Sequence, residues 1–111
     1  NRNALNREQP QQRMLRDHEV TEKVLEAVIK EFGVARDRLT KRKRFRGQIS
    51  RDVAIYVLHR HTGLSNKEIG DIFEVSPTAI GKVSIRVRDQ MNKHKELEKE
   101  VERVVNSAFE V

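Results

Sequence analysis

Basic side chains are concentrated in one short stretch of the chain, where their charge suits the binding of phosphate groups. The stretch contains no acidic residue and holds Lys41, Arg42, Lys43, Arg44, Arg46 and Arg51. The whole chain has the same balance, with 23 Lys and Arg against 17 Asp and Glu and a formal net charge of +6. Because such a segment attracts polyanions, it indicates a surface that holds the backbone of a nucleic acid.

A second group of side chains has types suited to contacts with base edges. It comprises Ser76, Pro77, Thr78, Ala79, Lys82 and Arg86, which the spacing places at the start and on the outward face of one helix. Ser76 can cap that helix, and Pro77 is tolerated in its first turn. Thr78 can hydrogen-bond a base, Thr78 and Ala79 can contact a thymine methyl group, and Lys82 can reach a guanine or a phosphate. The free amides of the helix N-terminus also attract phosphate.

All of these side chains except Arg86 lie within residues 65–83, which encode two helices and a tight turn, and Arg86 lies further along the second helix. Ser65 and Glu68 have the spacing of a capping box for the first helix, and we include Ser65 among the predicted DNA contacts. Gly70 is small enough for the two helices to cross closely there. Helices of this length are unstable alone but can form a helix-turn-helix, which presents its second helix to the major groove of duplex DNA.

The turn between the two helices has one unusual residue. Val75 supplies the apolar position that the motif needs in the turn, and Ile80 and Val83 supply those that lock the second helix. Many such motifs have glycine where the backbone requires a positive φ, whereas this chain has Glu74. Either the turn is built differently or Glu74 tolerates some strain.

The rest of the chain predicts an all-α fold, a compact bundle of five to six helices that contains the helix-turn-helix. Helix formers dominate the periodic stretches, and no strand-like alternation occurs. Beside the helix-turn-helix, whose second helix should end near Asn92, we expect helices over 17–32, from a cap at Ser50 to Thr62 and over 95–109, with one further turn over 34–39. Residues 1–16 are predicted to be a polar linker or a partly helical lead-in, and residues 17–111 the helix-turn-helix domain.

The C-terminal helix leaves two alternatives open. It is either a separate element from Lys95 or a continuation of the preceding helix. Its apolar residues either complete the core or form the seam of a homodimer, in which case the chain is a protein-interaction module; they are Leu97, Val101, Val104 and Val105.

The chain lacks the residues that several classes of function require. The chain has no cysteine for disulfides or zinc–thiolate sites, no apolar run of membrane-spanning length, no visible signal peptide and no phosphate-binding glycine loop. We expect no cofactor, no metal and no small-molecule substrate. The first residue is Asn1 rather than Met, so we expect part of a longer protein.

The remaining candidates for catalysis are His59-Arg60-His61 and Tyr56, the sole tyrosine. On a helix the two imidazole rings point about 200° apart, so they cannot chelate one ion. We expect Tyr56 to pack at a helix edge with a solvated hydroxyl group. The chain is therefore predicted to be non-enzymatic.

Three segments carry a family resemblance. They are Leu39-Thr40-Lys41-Arg42-Lys43-Arg44, the helix Ser50 to Leu58 that leads to Leu64-Ser65, and Glu68-Ile69-Gly70-Asp71-Ile72-Phe73. With them, residues 20–109 resemble the C-terminal DNA-binding domain of the bacterial replication initiator DnaA, a helical bundle of the Trp-repressor type. The resemblance implies sequence-specific binding of duplex DNA, with a helix in the major groove and the basic loop on the backbone or in the minor groove.

The chain departs from this family where bases are read. Its segment from Glu74 to Ile80 is one residue shorter than the family's Gly-Gly-Arg-Asp-His-Thr-Thr-Val, and only Thr78 remains of the Asp-His-Thr-Thr group. The DnaA target sequence is therefore not expected. Phe45 falls near the family's minor-groove arginine, a role that Arg44 or Arg46 can take.

The same domain is similar to the C-terminal extension of some REP-associated tyrosine transposases, where it would help a catalytic part to find its DNA. This similarity implies a transposase-like parent protein that works in the bacterial cytoplasm with the nucleoid. The alternative is a DnaA-like regulator of replication or transcription.

Overall fold

A computed structural model describes residues 10–40 and 49–109, and all regular structure in these two ranges is α-helical. Six helices follow one another in the described ranges: α1 (Pro10–Phe32), α2 (Arg36–Thr40), α3 (Ile49–His61), α4 (Asn66–Phe73), α5 (Pro77–Lys93) and α6 (Lys95–Phe109). The predicted all-α bundle is confirmed. None of these six helices combines the length with the apolar character that crossing a bilayer requires.

Helix α3 lies at the centre of the bundle and contacts each of the other five helices. Six consecutive residues of α3 are buried: Val53, Ala54, Ile55, Tyr56, Val57 and Leu58. A helix that is covered on every side is apolar all round, which explains this uninterrupted run. Tyr56, which was expected at a helix edge, is only 9% exposed.

Helices α1 and α6 pack against each other and close one side of the core. The buried side chains of this contact include Val24, Leu25 and Val28 of α1 and Leu97, Val101 and Val104 of α6. Because these side chains of α6 are covered within one chain, the alternative in which they form a dimer seam is wrong. Dimerisation through another surface stays untested.

Two helix boundaries differ from the predictions. Helix α1 begins at Pro10 rather than near Asp17, which is possible because proline is well tolerated in a first helical turn. Residue 16 therefore lies within a continuous helix, and residues 1–9 lie outside the described residues. Helix α3 begins at Ile49, so the prediction that Ser50 caps it is wrong: Ser50 lies inside the first turn and is buried.

A break at His94 separates α5 from α6 and decides the alternative that the sequence left open. His94 has an extended backbone, with φ −128° and ψ 101°, and its N–H donates to the carbonyl of Gln90 at 2.8 Å. The carbonyl of His94 then accepts from the N–H groups of Leu97 and Glu98 at 3.1 and 3.3 Å. This turn redirects the chain so that the apolar face of α6 reaches α1.

The connection that precedes the basic segment is ordered by α2. This five-residue helix confirms the further turn that was predicted over 34–39, and its Leu39 is fully buried. An ion pair holds α2 against α1, since Arg36 donates to both carboxylate oxygens of Glu22 at 2.8 and 2.6 Å. The hydrogen bond from Arg36 is the main cause that lowers the pKa of Glu22.

Candidate nucleic-acid interface

The capping box predicted for α4 is present. The Ser65 hydroxyl oxygen accepts from the N–H of Glu68 at 3.1 Å, and the Glu68 carboxylate accepts from the N–H of Ser65 at 2.8 Å. These two bonds fix where α4 begins and the direction in which it leaves the loop. Ser65 is exposed, and its contact with DNA stays a prediction.

The turn after α4 closes tightly over Gly70. A Cβ atom at this position would lie 2.5 Å from the carbonyl oxygen of Val75, closer than real Cβ atoms approach. The carbonyl of Gly70 accepts from the N–H groups of both Glu74 and Val75. From the sequence, we predicted that glycine is needed here so that the two helices can cross closely. The structure shows that the atoms that approach Gly70 belong instead to the backbone of the turn.

Glu74 adopts the left-handed conformation that glycine supplies in many such turns. Its φ is 59° and its ψ is 44°, and it is the one non-glycine residue with positive φ in the part of the chain that the structure describes. The turn therefore keeps its usual geometry, and Glu74 carries a strain of about 1 kcal/mol for a residue with a Cβ. This finding decides between the two alternatives stated for the turn.

The start of α5 is fixed by contacts on both sides of the turn. The Ser76 hydroxyl oxygen accepts from the N–H of Ala79 at 3.2 Å, and Pro77 is the first helical residue, as predicted. The side-chain amide of Asn66 donates to the carbonyl of Pro77 at 3.4 Å. Because Asn66 opens α4 and Pro77 opens α5, the N-termini of the two helices lie side by side.

The orientation of α5 agrees with the prediction from its spacing. Ile80, Ser84 and Val87 are buried against the core, whereas the predicted DNA contacts Ser76, Pro77, Thr78, Lys82 and Arg86 are exposed and Ala79 is half-buried. The polar Ser84 is satisfied in the core because its hydroxyl group lies 3.0 Å from Nδ1 of His59 on α3. The exposed side chains form a continuous face that begins at the helix N-terminus.

Arg86 is held by an acidic residue of the central helix. One of its guanidinium nitrogens lies 3.2 Å from a carboxylate oxygen of Asp52, in the first turn of α3. Burial raises the pKa of Asp52, and the charge of Arg86 acts in the opposite direction. The Arg86 side chain remains 59% exposed, so the ion pair positions it at the edge of the α5 face. Its contact with DNA stays a prediction.

Arg51 occupies an internal position that the sequence did not indicate. Its Nε donates to the carbonyl of Leu39 at 3.1 Å, one Nη donates to the carbonyl of Phe73 at 2.5 Å, and the guanidinium lies 6.0 Å from the centre of the Phe73 ring. These carbonyls lie in the last turns of α2 and α4, where helices leave acceptors without partners. Arg51 was predicted to contact DNA. That contact stays a prediction, and the structure shows that the side chain joins the ends of α2 and α4.

The core of the basic segment, Lys41, Arg42, Lys43, Arg44 and Arg46, lies outside the described residues. Its two flanks are described, and both are anchored. Leu39 and Ser50 are buried, and Arg51 joins the carbonyl of Leu39 to the end of α4. The chain therefore enters this segment beside the end of the first helix of the helix-turn-helix.

The histidines of α3 contact different elements. His59 meets Ser84 of α5, and the ring of His61 lies 6.1 Å from the ring of Phe109 of α6. Burial is the main cause that lowers the pKa of His61. Over residues 10–40 and 49–109, no group of three His, Cys, Asp or Glu side chains is placed to hold a metal ion.

Residues 21–83 match the family described as the bacterial dnaA protein helix-turn-helix. The match covers more than half of the 111 residues and runs from α1 through the turn into the first half of α5. The chain belongs to the bacterial DnaA helix-turn-helix family. No curated protein matches the chain significantly. The geometry of α4 and α5 and this membership together make the chain a DNA-binding helix-turn-helix domain.

Within this DnaA-type domain, the sequence did not point to two residues, one on α4 and one on α5. Asn66 bonds across to Pro77 over eleven positions, and no local pattern indicates that contact. Ile85 is exposed on α5, and for this residue a signal existed: it lies seven positions after Thr78, which is the repeat of one helix face.

Proposed function

We propose that the domain recognises a specific duplex DNA sequence by placing the N-terminal half of α5 in the major groove. The observation that carries this proposal is the exposed face of α5, with Thr78 and Lys82 outward and Ile80 and Val87 buried. Thr78 and the half-buried Ala79 would contact base edges, and Lys82 would reach a guanine or a phosphate. Ser65, Ser76 and Arg86 would contact the flanking backbone.

The basic segment would add affinity that does not depend on sequence. Lys41, Arg42, Lys43, Arg44 and Arg46 would neutralise phosphates, and Arg44 or Arg46 would enter the minor groove. The anchoring of Leu39 by Arg51 supports this arrangement, because it fixes one end of the segment near the turn that precedes α5. Each phosphate contact contributes about −0.9 to the slope of log affinity against log salt concentration.

We propose further that the domain targets a transposase-like protein to its DNA and carries no catalytic step itself. The support is indirect: Ser76, Pro77 and Ala79 replace residues with which DnaA reads its own site, so the role of the initiator is not transferred with the fold. A regulator of replication or transcription that acts on the nucleoid is the alternative. A protein-interaction module has less support, because the apolar face of α6 is buried in the core.

Selection of bound duplexes from a random pool tests the recognition of a specific sequence. We expect an enriched motif for the unchanged protein. Thr78→Val should alter the preferred base at one or two positions of that motif while the salt dependence stays the same. The double variant Lys43→Ala with Arg44→Ala should bind every duplex more weakly and flatten the salt slope by about 2, with the motif unchanged.

The two variants act as controls for each other. Equal affinity for every duplex, together with a steep salt slope, would overturn base reading and leave only a charged, non-specific DNA-binding surface. A motif that repeats in the ends of mobile elements would favour the transposase-like parent, and a motif confined to origins or promoters would favour the regulator.

A further inference from the structure

Ile85 is the one large apolar residue that is strongly exposed in the described part of the chain, and it lies on the recognition helix. Its exposed fraction is 64%, whereas the other large apolar residues of α5 are buried or half-buried against the core. Single exposed apolar residues are common on protein surfaces. The role of Ile85 must therefore be inferred from its position on α5 and from the charge of the neighbouring side chains.

Ile85 continues the face of α5 that begins at Thr78. Seven residues separate the two, which places their side chains only about 20° apart around the helix axis. Lys82 lies between them along the helix axis, and around the axis it is about 40° from Thr78 and about 60° from Ile85. All three side chains are exposed, and the buried Ile80 and Val87 lie on the opposite side of the helix. Thr78, Lys82 and Ile85 thus form one stripe.

The surroundings of Ile85 fit DNA better than an apolar protein partner. Within one turn of α5 it is flanked by three exposed cations and one exposed carboxylate: Lys82, Arg86, Arg88 and Asp89. A protein partner normally requires a contiguous apolar patch of several hundred Å². The major groove offers a smaller apolar target, the C5-methyl group of thymine, between phosphates that attract the neighbouring cations.

We propose that Ile85 contacts the C5-methyl group of one thymine in the major groove and thereby adds a position to the recognised sequence. This inference rests on the proposed function, because it requires α5 to lie along the groove. The rise of 1.5 Å per residue places Ile85 about 10 Å beyond Thr78 along the helix. At 3.4 Å for each base pair, the thymine lies about three base pairs from the base that Thr78 contacts.

The size of the effect follows from the group that is buried. Removing one methyl group from water corresponds to about 0.8 kcal/mol, which is about a fourfold change in affinity. A change of this size is small beside the total affinity of a DNA complex. The experiment must therefore remove the methyl group alone and compare matched duplexes.

The test uses the full 111-residue chain and the duplex found by selection, with each thymine in turn replaced by deoxyuridine, which lacks only the C5-methyl group. We expect deoxyuridine at one position to weaken binding of the unchanged protein about fourfold and to leave binding of Ile85→Ala unchanged. Thymines that contact Thr78 or Ala79 should remain sensitive in both proteins. Ile85→Val, which keeps a branched apolar side chain, should retain part of the response.

Two controls separate contact from folding. The thermal midpoint of Ile85→Ala should stay close to that of the unchanged protein, because the side chain is exposed. Asn106→Ala, an exposed change on α6, should respond to deoxyuridine like the unchanged protein at every position.

The outcomes distinguish this inference from the function on which it rests. If Ile85→Ala responds to deoxyuridine at every position as the unchanged protein does, the contact is refuted and recognition by Thr78 and Lys82 stands. If the selection enriches no motif at all, recognition of a specific sequence fails, and the role of Ile85 fails with it.

Discussion

Replacing Gly70 with alanine tests whether the turn closes on α4 as closely as the structure shows. Inside a helix, alanine is favoured over glycine by about 1 kcal/mol, so propensity alone predicts that Gly70→Ala stabilises the protein. The structure predicts the opposite sign, because the new Cβ atom would lie 2.5 Å from the carbonyl oxygen of Val75. Relieving that overlap costs about 2 kcal/mol in packing. It also weakens the hydrogen bond from Val75 to Gly70, which contributes about 1 kcal/mol.

The net expectation is a loss of about 2 kcal/mol in the free energy of unfolding, after the gain in propensity is subtracted. Gly81→Ala is the matched control. Gly81 also lies inside a helix, but the nearest atom to its Cβ would be the side-chain nitrogen of Asn66 at 3.9 Å, an ordinary contact. This variant should gain about 1 kcal/mol, so the two alanine variants should differ by about 3 kcal/mol.

Urea unfolding followed by far-ultraviolet circular dichroism measures both variants on the same scale. If Gly70→Ala is stabilised as much as Gly81→Ala, the close contact between α4 and the turn does not exist. The orientation of α5, which depends on that turn, would then lose its structural basis.

Three further changes test the contacts that support the interface. Arg51→Ala should lower the free energy of unfolding by about 2 to 3 kcal/mol, because two carbonyls at helix ends lose a charged donor, and Arg51→Lys should restore less than half of it; unchanged urea stability together with weaker DNA binding would show that Arg51 contacts DNA instead. Glu74→Gly should stabilise the protein by about 0.5 to 1 kcal/mol in the same assay, because glycine adopts positive φ without strain, and a loss of stability would show that the Glu74 side chain makes a contact of its own. Glu22→Gln tests pH dependence: the pKa of Glu22 is lowered in the folded state, so its stabilising effect is present above the ordinary glutamate pKa and is lost as the pH falls through the lowered value. Stability measured between about pH 5 and pH 3 should therefore fall less steeply in Glu22→Gln than in the unchanged protein, and parallel curves would contradict the ion pair with Arg36.

The local features of the helix-turn-helix could be predicted because the residues that form them are neighbours in the chain. Ser65 and Glu68 are three residues apart, and Ser76 caps the helix that Pro77 begins. Such bonds depend on one turn of backbone, so residue type and spacing nearly determine them. For the same reason, the sequence indicated that a positive φ is normally required at the position of Glu74. It did not indicate whether Glu74 adopts that conformation or the turn is built differently.

The contacts between segments that are distant in the chain could not be predicted from the sequence. Arg51 was grouped with the basic segment because it is a nearby cation, yet it bonds residues twelve and twenty-two positions away. Ser50 has the residue type of a cap, but the helix begins one residue earlier and buries it. The spacing of residues along a helix predicts the face on which each side chain lies. It does not predict which other helix packs against that face.

The apolar pattern of the sequence determined that this chain forms a helical bundle around a helix-turn-helix, and the capping residues determined where α4 and α5 begin. Only the tertiary structure decided that α3 is covered on all sides, that the apolar face of α6 belongs to the core, and that Ile85 remains exposed beside Thr78 and Lys82. The physical reason is that helix formation depends on bonds within four residues, whereas burial depends on which helices pack together.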